Sequence, residues 1–593
     1  MRAVRLRLLA ALALVGLAPA VLVAQQATIV SGVVTGEAGQ PLPSVQVAIP
    51  ALGVGAISRE DGRYSFTVPA ERATGSATLV ARRIGLQQKT ATITLGQGPV
   101  TQNFVLAASV SQLEGLVVTA LGQTRERSQL GTAVQSVTSE QLNTTHDPNI
   151  VNQLAGKVSG VVITGAGTQG GSVNVRVRGF TSITGNNNPL YIVDGVPISN
   201  DGRGGDPSGA STLSNGRDFG SAISDINPED VENISVLKGP NAAALYGSRA
   251  ANGVVLITTK KGGNNKVSTQ ITASNTWDRP SILPDYQNLY GQGSGGQFRY
   301  VDGQGGGVQD GNDQSFGPKL DGRLIDQFTG PQQPWVAHPD NVSSFFNTGQ
   351  TRNGNIAFSG GSDRTAARLS LGGENVSGII PNSFLRKVTA LANGSLNVTD
   401  KITATGALNY VRNTGQNRPG VGYNSGILEQ FVWFGRQVDT EVLKQKLYDA
   451  DGNLFNWNYN YHNNPYWLQY ENPEQDVRDR TIVSGSLAWR PTDWLSATLR
   501  SGTDFFRYNI DQQFAAGNLN FSDPSYAGAF SYLRDVSNEN NTDLLLVANR
   551  QVASRLTLNA TVGGNVRQQS SSTEGVATSG ISVPNIYNVS KAA

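Results

Sequence analysis

Leu190-Tyr191-Ile192-Val193-Asp194-Gly195-Val196-Pro197 reads as an apolar strand ended by an Asp-Gly turn, the dipeptide that accepts the positive backbone angles of a tight hairpin. Farther along, Ile234 to Leu237, Lys238-Gly239-Pro240, Ala242-Ala243-Ala244-Leu245-Tyr246-Gly247 and Gly253-Val254-Val255-Leu256-Ile257-Thr258-Thr259-Lys260 give strand, turn, short helix and strand. Asn227 is placed to cap a helix opening at Pro228, with Glu229 and Asp230 complementing its positive end. Upstream, Glu140 to Leu142 and Asn149 to Leu154 read as short helices. Val161-Val162-Ile163 and Val173 to Gly179 read as strands, the second with Arg176 and Arg178 on the face opposite its valines. Residues 125–263 are therefore expected to form a small α/β domain.

One segment of this domain imitates a nucleotide site. Gly165-Ala166-Gly167-Thr168-Gln169-Gly170 has dinucleotide-binding spacing and follows a strand. A helix must come next, so that its N-terminus can hold the pyrophosphate, whereas Ser172 to Arg178 alternates as a strand. A glycine-rich hairpin fits better.

The flanks differ from this domain and from each other. On the N-terminal side, Ile29 to Val34, Val45 to Ile49, Tyr64 to Val68, Ala77 to Arg82 and Thr90 to Leu95 are short β-prone runs, broken at Gly39-Gln40-Pro41 and Glu60-Asp61-Gly62. Their spacing predicts a small β-sandwich over 27–107. Asp61-Gly62 is read as a tight turn, because no further ligands follow at the spacing of a calcium loop. On the C-terminal side the segments lengthen. Val267 to Trp277, Gly354 to Gly360, Ala366 to Glu374, Lys387 to Val398, Ile402 to Val411, Thr481 to Arg490, Leu495 to Phe506, Thr542 to Arg550 and Leu556 to Val566 alternate, in the class of membrane strands of about 9 to 11 residues. Minimal turns at Thr399-Asp400-Lys401, Pro491-Thr492-Asp493 and Ala553-Ser554-Arg555 contrast with long polar loops at Asp278 to Arg352 and Asn413 to Asp479. Short turns at one end and long loops at the other suit an outer-membrane barrel, although a large soluble β-protein would alternate too.

Composition narrows the choice. Charged residues are 15% of the 593 and glycines number 69, a profile of many strands and turns. A formal charge of +2 gives no pull toward a phosphate backbone, so nucleic acid is not an expected partner. Without cysteine there is no disulfide, thiolate metal site, cysteine nucleophile or lipidated N-terminal cysteine. Arg2, Arg5 and Arg7 precede an apolar run from Leu8 to Val23, which predicts a secretory signal over 1–24 cleaved after Ala24. That run falls short of the roughly 20 residues of a spanning helix, and no later run approaches about 18. Entry into a membrane would have to be as a closed β-barrel, the only other way to satisfy backbone groups in lipid.

Taken with Arg178-Gly179, the Tyr191 to Pro197 run and the segment from Ile234 to Lys260 are similar nearly residue for residue to the plug of TonB-dependent outer-membrane receptors of the SusC/RagA type. The motif positions are Arg178, Gly179, Tyr191, Asp194, Gly195, Tyr246, Gly247, Arg249 and Gly253. Gly39-Gln40-Pro41-Leu42 with Val45-Gln46-Val47, then Asp61-Gly62-Arg63-Tyr64-Ser65-Phe66, looks like the carboxypeptidase-regulatory-like domain that precedes many such plugs. In the linker 108–124, Leu113-Glu114-Gly115-Leu116-Val117-Val118-Thr119 resembles the TonB box, a β-prone run able to add to a partner's sheet edge; it could also be the last strand of the sandwich. The expected fold is mainly β: a sandwich, a small α/β plug over 125–263, and part of a large antiparallel barrel over 266–593. A complete barrel of this class has about 22 strands. With about nine here, a fragment or a truncated gene is expected, with two unpaired strand edges.

No seat for catalysis is visible. His146, His338 and His462 lie far apart without motif partners and read as surface or loop residues, and no Gly-x-Ser-x-Gly elbow, phosphate loop or zinc helix occurs. No enzyme activity, cofactor or metal is expected. The stretch Phe455 to Trp467 sets Trp457, Tyr459, Tyr461, Tyr466 and Trp467 among asparagines in a loop placed outside the cell, suited to sugar rings or peptides, or equally to anchoring at the lipid interface. By analogy with related receptors, Arg178 and Arg249 are candidates to hold the plug to barrel carboxylates. The resemblance further implies import of an oligosaccharide or peptide through the bacterial outer membrane, the N-terminal domain in the periplasm. Its partners would be TonB with its inner-membrane energising complex and a SusD-like surface lipoprotein. The rivals are a siderophore or cobalamin receptor, a signalling receptor, and a secreted binding protein.

Overall fold

The computed structural model describes residues 27–592 apart from 37–38, 84–85, 87, 108–115, 119–123, 127–132, 144–146, 148, 166, 168, 184–185, 199–215, 240–245, 264–266, 299–311, 422–426, 520–526 and 554–555. The expected signal over 1–24, His146 and Ala242 to Leu245 of the expected helix lie outside these. The chain divides into two units, one of Met1–Val117 with Arg125–Ser128, the other of Val118–Thr124 with Gln129–Ala593.

The first unit holds a β-sandwich. Thr28–Gly36 pairs antiparallel with Arg63–Val68 and in parallel with Val100–Thr101 and Phe104–Leu106. The facing sheet runs Val54–Ile57, Gln46–Ile49, Gly75–Arg82, Lys89–Leu95. Val30, Val34, Val47, Ile49 and Leu79 are fully buried between them, each contributing about 1.5–3 kcal/mol. The five expected strands are all there; Val54–Ile57 escaped notice because a glycine interrupts it and its side chains are only partly covered. Asp61-Gly62 is a turn: Gly62 N–H donates to the Arg59 carbonyl at 2.9 Å, and Asp61 Oδ1 accepts from Arg63 N–H at 3.0 Å.

In the second unit a five-stranded mixed sheet runs Ala133–Thr138, Val231–Lys238, Val254–Thr259, Leu190–Val193, Val196–Ile198. Leu190–Val193 lies parallel to Val254–Thr259 and the other neighbours are antiparallel. Asp194 and Gly195, at φ 47° and 86°, form the two-residue turn their sequence predicts. The Val161–Gly165 and Val173–Val177 strands pair as an antiparallel hairpin, so no helix follows the glycine-rich loop. The short helices shrink: Asn149 to Leu154 yields a 3-10 turn over Asn152–Leu154, and Pro228–Asp230 is a 3-10 turn running straight into a strand. Asn227 still caps it, accepting from Glu229 N–H at 3.1 Å.

The nine long segments form one nine-stranded antiparallel sheet in chain order: Ser268–Asp278, Gly349–Gly361, Thr365–Ser377, Phe384–Thr399, Ile402–Gln416, Glu474–Thr492, Leu495–Phe514, Ala529–Ala553 and Leu556–Ala577. Among the described residues the first and last each pair on one side. Most strands outrun their expected bounds, because backbone pairing continues beyond the apolar alternation that marked them. The loop expected over Asn413 to Asp479 is accordingly shorter and, among the described residues, carries three helices, Ile427–Trp433, Thr440–Gln445 and Pro465–Glu471.

This sheet is inside out for a water-soluble protein. Its exposed face presents Leu369, Leu371, Val388, Leu408, Val483, Leu487, Leu499, Phe505, Leu544 and Leu546. The covered face is polar and charged, with Arg368, Glu374, Lys387, Asp476, Arg478, Arg480, Asp504 and Glu539 all buried. A soluble β-protein buries its apolar face, whereas a barrel in lipid turns that face outward. The alternation therefore resolves in favour of a membrane wall.

Candidate functional site

The plug meets the wall along a charged seam. Asp225, at the end of the 3-10 turn Ala222–Asp225, accepts from Arg478 Nη2 at 2.7 Å and from Arg480 at 3.4 Å, and Arg480 also grips Asp504 at 2.7 Å. Asp230 pairs with Arg368 at 3.2 Å. Glu539 takes Arg249 of the plug at 2.7 Å and Arg567 of the neighbouring strand at 2.9 Å. Asn227 reaches Asn355 and Thr389 across the seam at 3.0 and 3.3 Å, and Asn393 donates to the Lys260 carbonyl at 2.7 Å. Burial raises the Asp230 carboxyl above its ordinary value against the pull of Ser370 and Arg368, and burial lowers the Lys260 ammonium. Pairs this dry gain little over an apolar contact, but losing one partner is costly because the other charge is stranded.

The motif residues take up distinct places. Tyr191 sits in the plug core with no exposed surface, burial pushing its phenol up. Asp194 accepts from Thr259 N–H at 2.9 Å and from its hydroxyl at 2.6 Å, tying the turn to the neighbouring strand. A Cβ on Gly195 would stand 2.2 Å from Arg500 Nη1, so the wall packs directly on this turn. Of the two candidate latches, Arg249 meets a wall carboxylate, while Arg178 is exposed at φ 62° and has no ion-pair partner among the described residues. Gly179, Gly247 and Gly253 lie in connecting segments outside the strands, and Tyr246 is in helical conformation. Leu116–Val118 is a three-residue strand paired with Thr124–Glu126 and joining neither sandwich sheet; the remainder of Leu113 to Thr119 lies outside the described residues.

The aromatic loop requires correction. Trp457, Tyr466 and Trp467 are buried inside the loop module, where Phe434 and His462 pack on Trp457 at ring distances of 4.7 and 5.1 Å. They offer no face to a ligand or to lipid, because asparagines close the loop around them: Asn464 Nδ2 donates to the carbonyls of Leu443, Lys446 and Phe455. Tyr459 is partly covered and Tyr461 is exposed. His462, expected as a surface or loop residue, lies in the loop but is buried and bonds Asp313 at 2.8 Å; His338 is half-buried, 4.0 Å from Asp439.

Sequence reading missed Asp225, Arg368, Arg478, Arg480 and Asp504. A usable signal was Glu474-x-Asp476-x-Arg478-x-Arg480, ionisable groups at every second position and hence on one face of a strand.

Comparison with known proteins adds to this geometry. A model described as the TonB-dependent Receptor Plug Domain matches residues 126–254, and one described as a CarboxypepD_reg-like domain matches 30–118. The chain is 30% identical over 376 residues to the TonB-dependent receptor SusC of Bacteroides thetaiotaomicron, covering 62% of this chain and 32% of that one. It is 29% identical over 406 residues to the TonB-dependent receptor P26 of Formosa agariphila, covering 68% and 36%. In fold it is similar to the RagAB peptide importer in its closed-closed state, with TM-score 0.55 at 20% identity, covering 78% of this chain and 50% of that one. The chain thus spans about a third of the length of the curated relatives it matches. These relatives are receptors rather than enzymes.

Proposed function

The chain is of the SusC/RagA type of TonB-dependent receptor, and from that premise we propose that it builds the plug and a nine-strand section of the wall of an import gate in the bacterial outer membrane. Residues 1–24 direct export. An oligosaccharide or peptide binds on the loop side, beneath a surface lipoprotein of the SusD type. TonB, driven by its inner-membrane complex, adds a strand to Leu113–Thr119 from the periplasm and pulls, and the plug yields. The N-terminal sandwich hangs in the periplasm.

The observation that carries this reading is the pairing of an apolar exposed face with a charged face covered by the plug. A plug that must move is better held by ions than by an apolar core. When the seam opens, water entering the lumen solvates the parted charges, whereas a parted apolar core would meet water at full cost. Several buried pairs must break together, so a pull is needed.

The test is uptake by cells producing the whole receptor, given a fluorescent maltooligosaccharide pool and, separately, a fluorescent tryptic-peptide pool. One pool should enter only when TonB is present, and deleting 113–119 should stop entry while the receptor stays in the outer membrane. Uptake indifferent to both TonB and the deletion would rule the reading out.

A further inference from the structure

The plug is joined to the loop layer as well as to the wall. Gly216–Arg217 of the plug pairs antiparallel with Gly420–Val421 of the loop after the fifth wall strand, Gly216 opposite Val421 and Arg217 opposite Gly420. Beside this two-stranded patch, Arg418 is buried and faces both ways. Its Nε and Nη2 grip Asp476 of the wall at 2.6 and 3.1 Å, while Nη1 donates to the carbonyls of Gln169 and Gly170 at the tip of the plug hairpin, at 3.3 and 3.2 Å.

Glu474 completes the joint, accepting from Arg418 N–H at 3.0 Å and from Arg217 at 3.3 Å. Ser383 of another loop donates to Gln169 Oε1 at 3.3 Å. Asn417, next to Arg418, donates to the carbonyls of Asn382 and Gln469, so two wall loops meet the plug here. The fit across the joint is close: a Cβ on Gly170 of the plug hairpin would stand 2.9 Å from Leu385 Cδ2 of the wall and 3.0 Å from Arg418 Nη1.

We propose that Arg418 and the Gly216–Arg217/Gly420–Val421 strand pair fasten the plug to the outer loops, and that import requires this joint to open. The loop module cannot then shift while the plug stays seated, nor the plug withdraw while the loops hold. Arg418 is a positioning residue: a planar fork engages Asp476 and leaves one nitrogen for the hairpin carbonyls, an arrangement a lysine cannot reproduce. The proposal rests on the import reading above and names the contact that gates it.

The test uses the absence of native cysteine. In the whole receptor, in cells, Gly216→Cys and Val421→Cys are introduced together; directly opposed antiparallel positions have Cα atoms about 4.5–5.5 Å apart, within the roughly 4.4–6.8 Å that a disulfide spans. Uptake of the two fluorescent pools is measured after oxidation with copper phenanthroline and after dithiothreitol. The expected result is import when reduced, loss when cross-linked, recovery on re-reduction, and no response in either single-cysteine receptor. Import through the cross-linked receptor overturns the proposal. Import of neither pool by the unaltered receptor overturns the import reading itself. Independently, Arg418→Lys in the purified receptor should speed hydrogen exchange together at 167–172, 216–220 and 427–445; a change confined to the residues beside Arg418 overturns the joint.

Discussion

Asp225 accepts two hydrogen bonds from Arg478 on a single oxygen, at 3.1 and 2.7 Å, with both side chains out of water. The plug donates the carboxylate and the wall the guanidinium, the reverse of the Arg249–Glu539 contact. Replacing Asp225 by Ala takes the carboxylate from Arg478 and removes one of the two carboxylates that Arg480 contacts here. A loss of about 3–5 kcal/mol is expected from removing one partner of such a pair. Thermal unfolding in detergent, followed by trypsin cleavage within the plug, measures it; a variant as resistant as the parent would show that the seam does not hold the plug.

Two glycines on wall strands should respond oppositely to alanine. A Cβ on Gly415 would lie 2.2 Å from Asp476 Oδ1 and 2.8 Å from Arg418 Nε, whereas one on Gly373 meets nothing within 4 Å. Gly415→Ala is expected to destabilise by about 1–3 kcal/mol through overpacking. Gly373→Ala is expected to be neutral or to stabilise by up to about 1 kcal/mol, since the unfolded chain loses freedom. Paired melting curves decide, and equal shifts would refute the distinction.

Burial raises both Asp194 and Asp230 above the ordinary carboxyl value of 3.8, against the bonds from Thr259 and from Ser370 and Arg368. Between that value and the raised ones the folded chain keeps protons that the unfolded chain has released, so stability falls as pH rises through the window. Below it both states are protonated and the contribution is level. Asp194→Asn removes one of the two groups and should flatten the slope of melting temperature against pH there. An unchanged slope would place the proton uptake elsewhere.

Asn464 organises the loop module. Its Oδ1 accepts from Tyr466 N–H at 3.0 Å as a helix cap while its amide donates to three carbonyls. Asn464→Ala loses a cap, at about 1 kcal/mol, and strands buried carbonyls, at about 1–3 kcal/mol more. Hydrogen exchange should quicken over 440–471 with the wall strands unaffected; a uniform response would deny the module its own integrity.

Nine wall strands were legible because a membrane strand is written in alternation, and each contains the run in which the apolar residues recur. Their outer ends were not, since beyond the lipid both faces turn polar: Gln475, Val477 and Asp479 look no more like a wall than Asp476 and Arg478 look like a lumen. The Asp194-Gly195 turn was legible from local backbone demand. The burial of His462 was not legible because its partner Asp313 is 149 residues away, a separation that no local pattern encodes. Arg249 was picked out by motif and Arg178 equally so, yet only one meets a carboxylate, a difference set by tertiary placement.

The longest wall strand, Ala529–Ala553, has 25 residues. At roughly 3.3 Å each it measures about 80 Å, and even inclined by about 45° it rises nearly 60 Å. The greasy belt it has to cross is about 25 Å tall. The surplus stands on the loop side, well clear of the lipid, where the bilayer imposes neither its dielectric nor its crowding on the residues it carries.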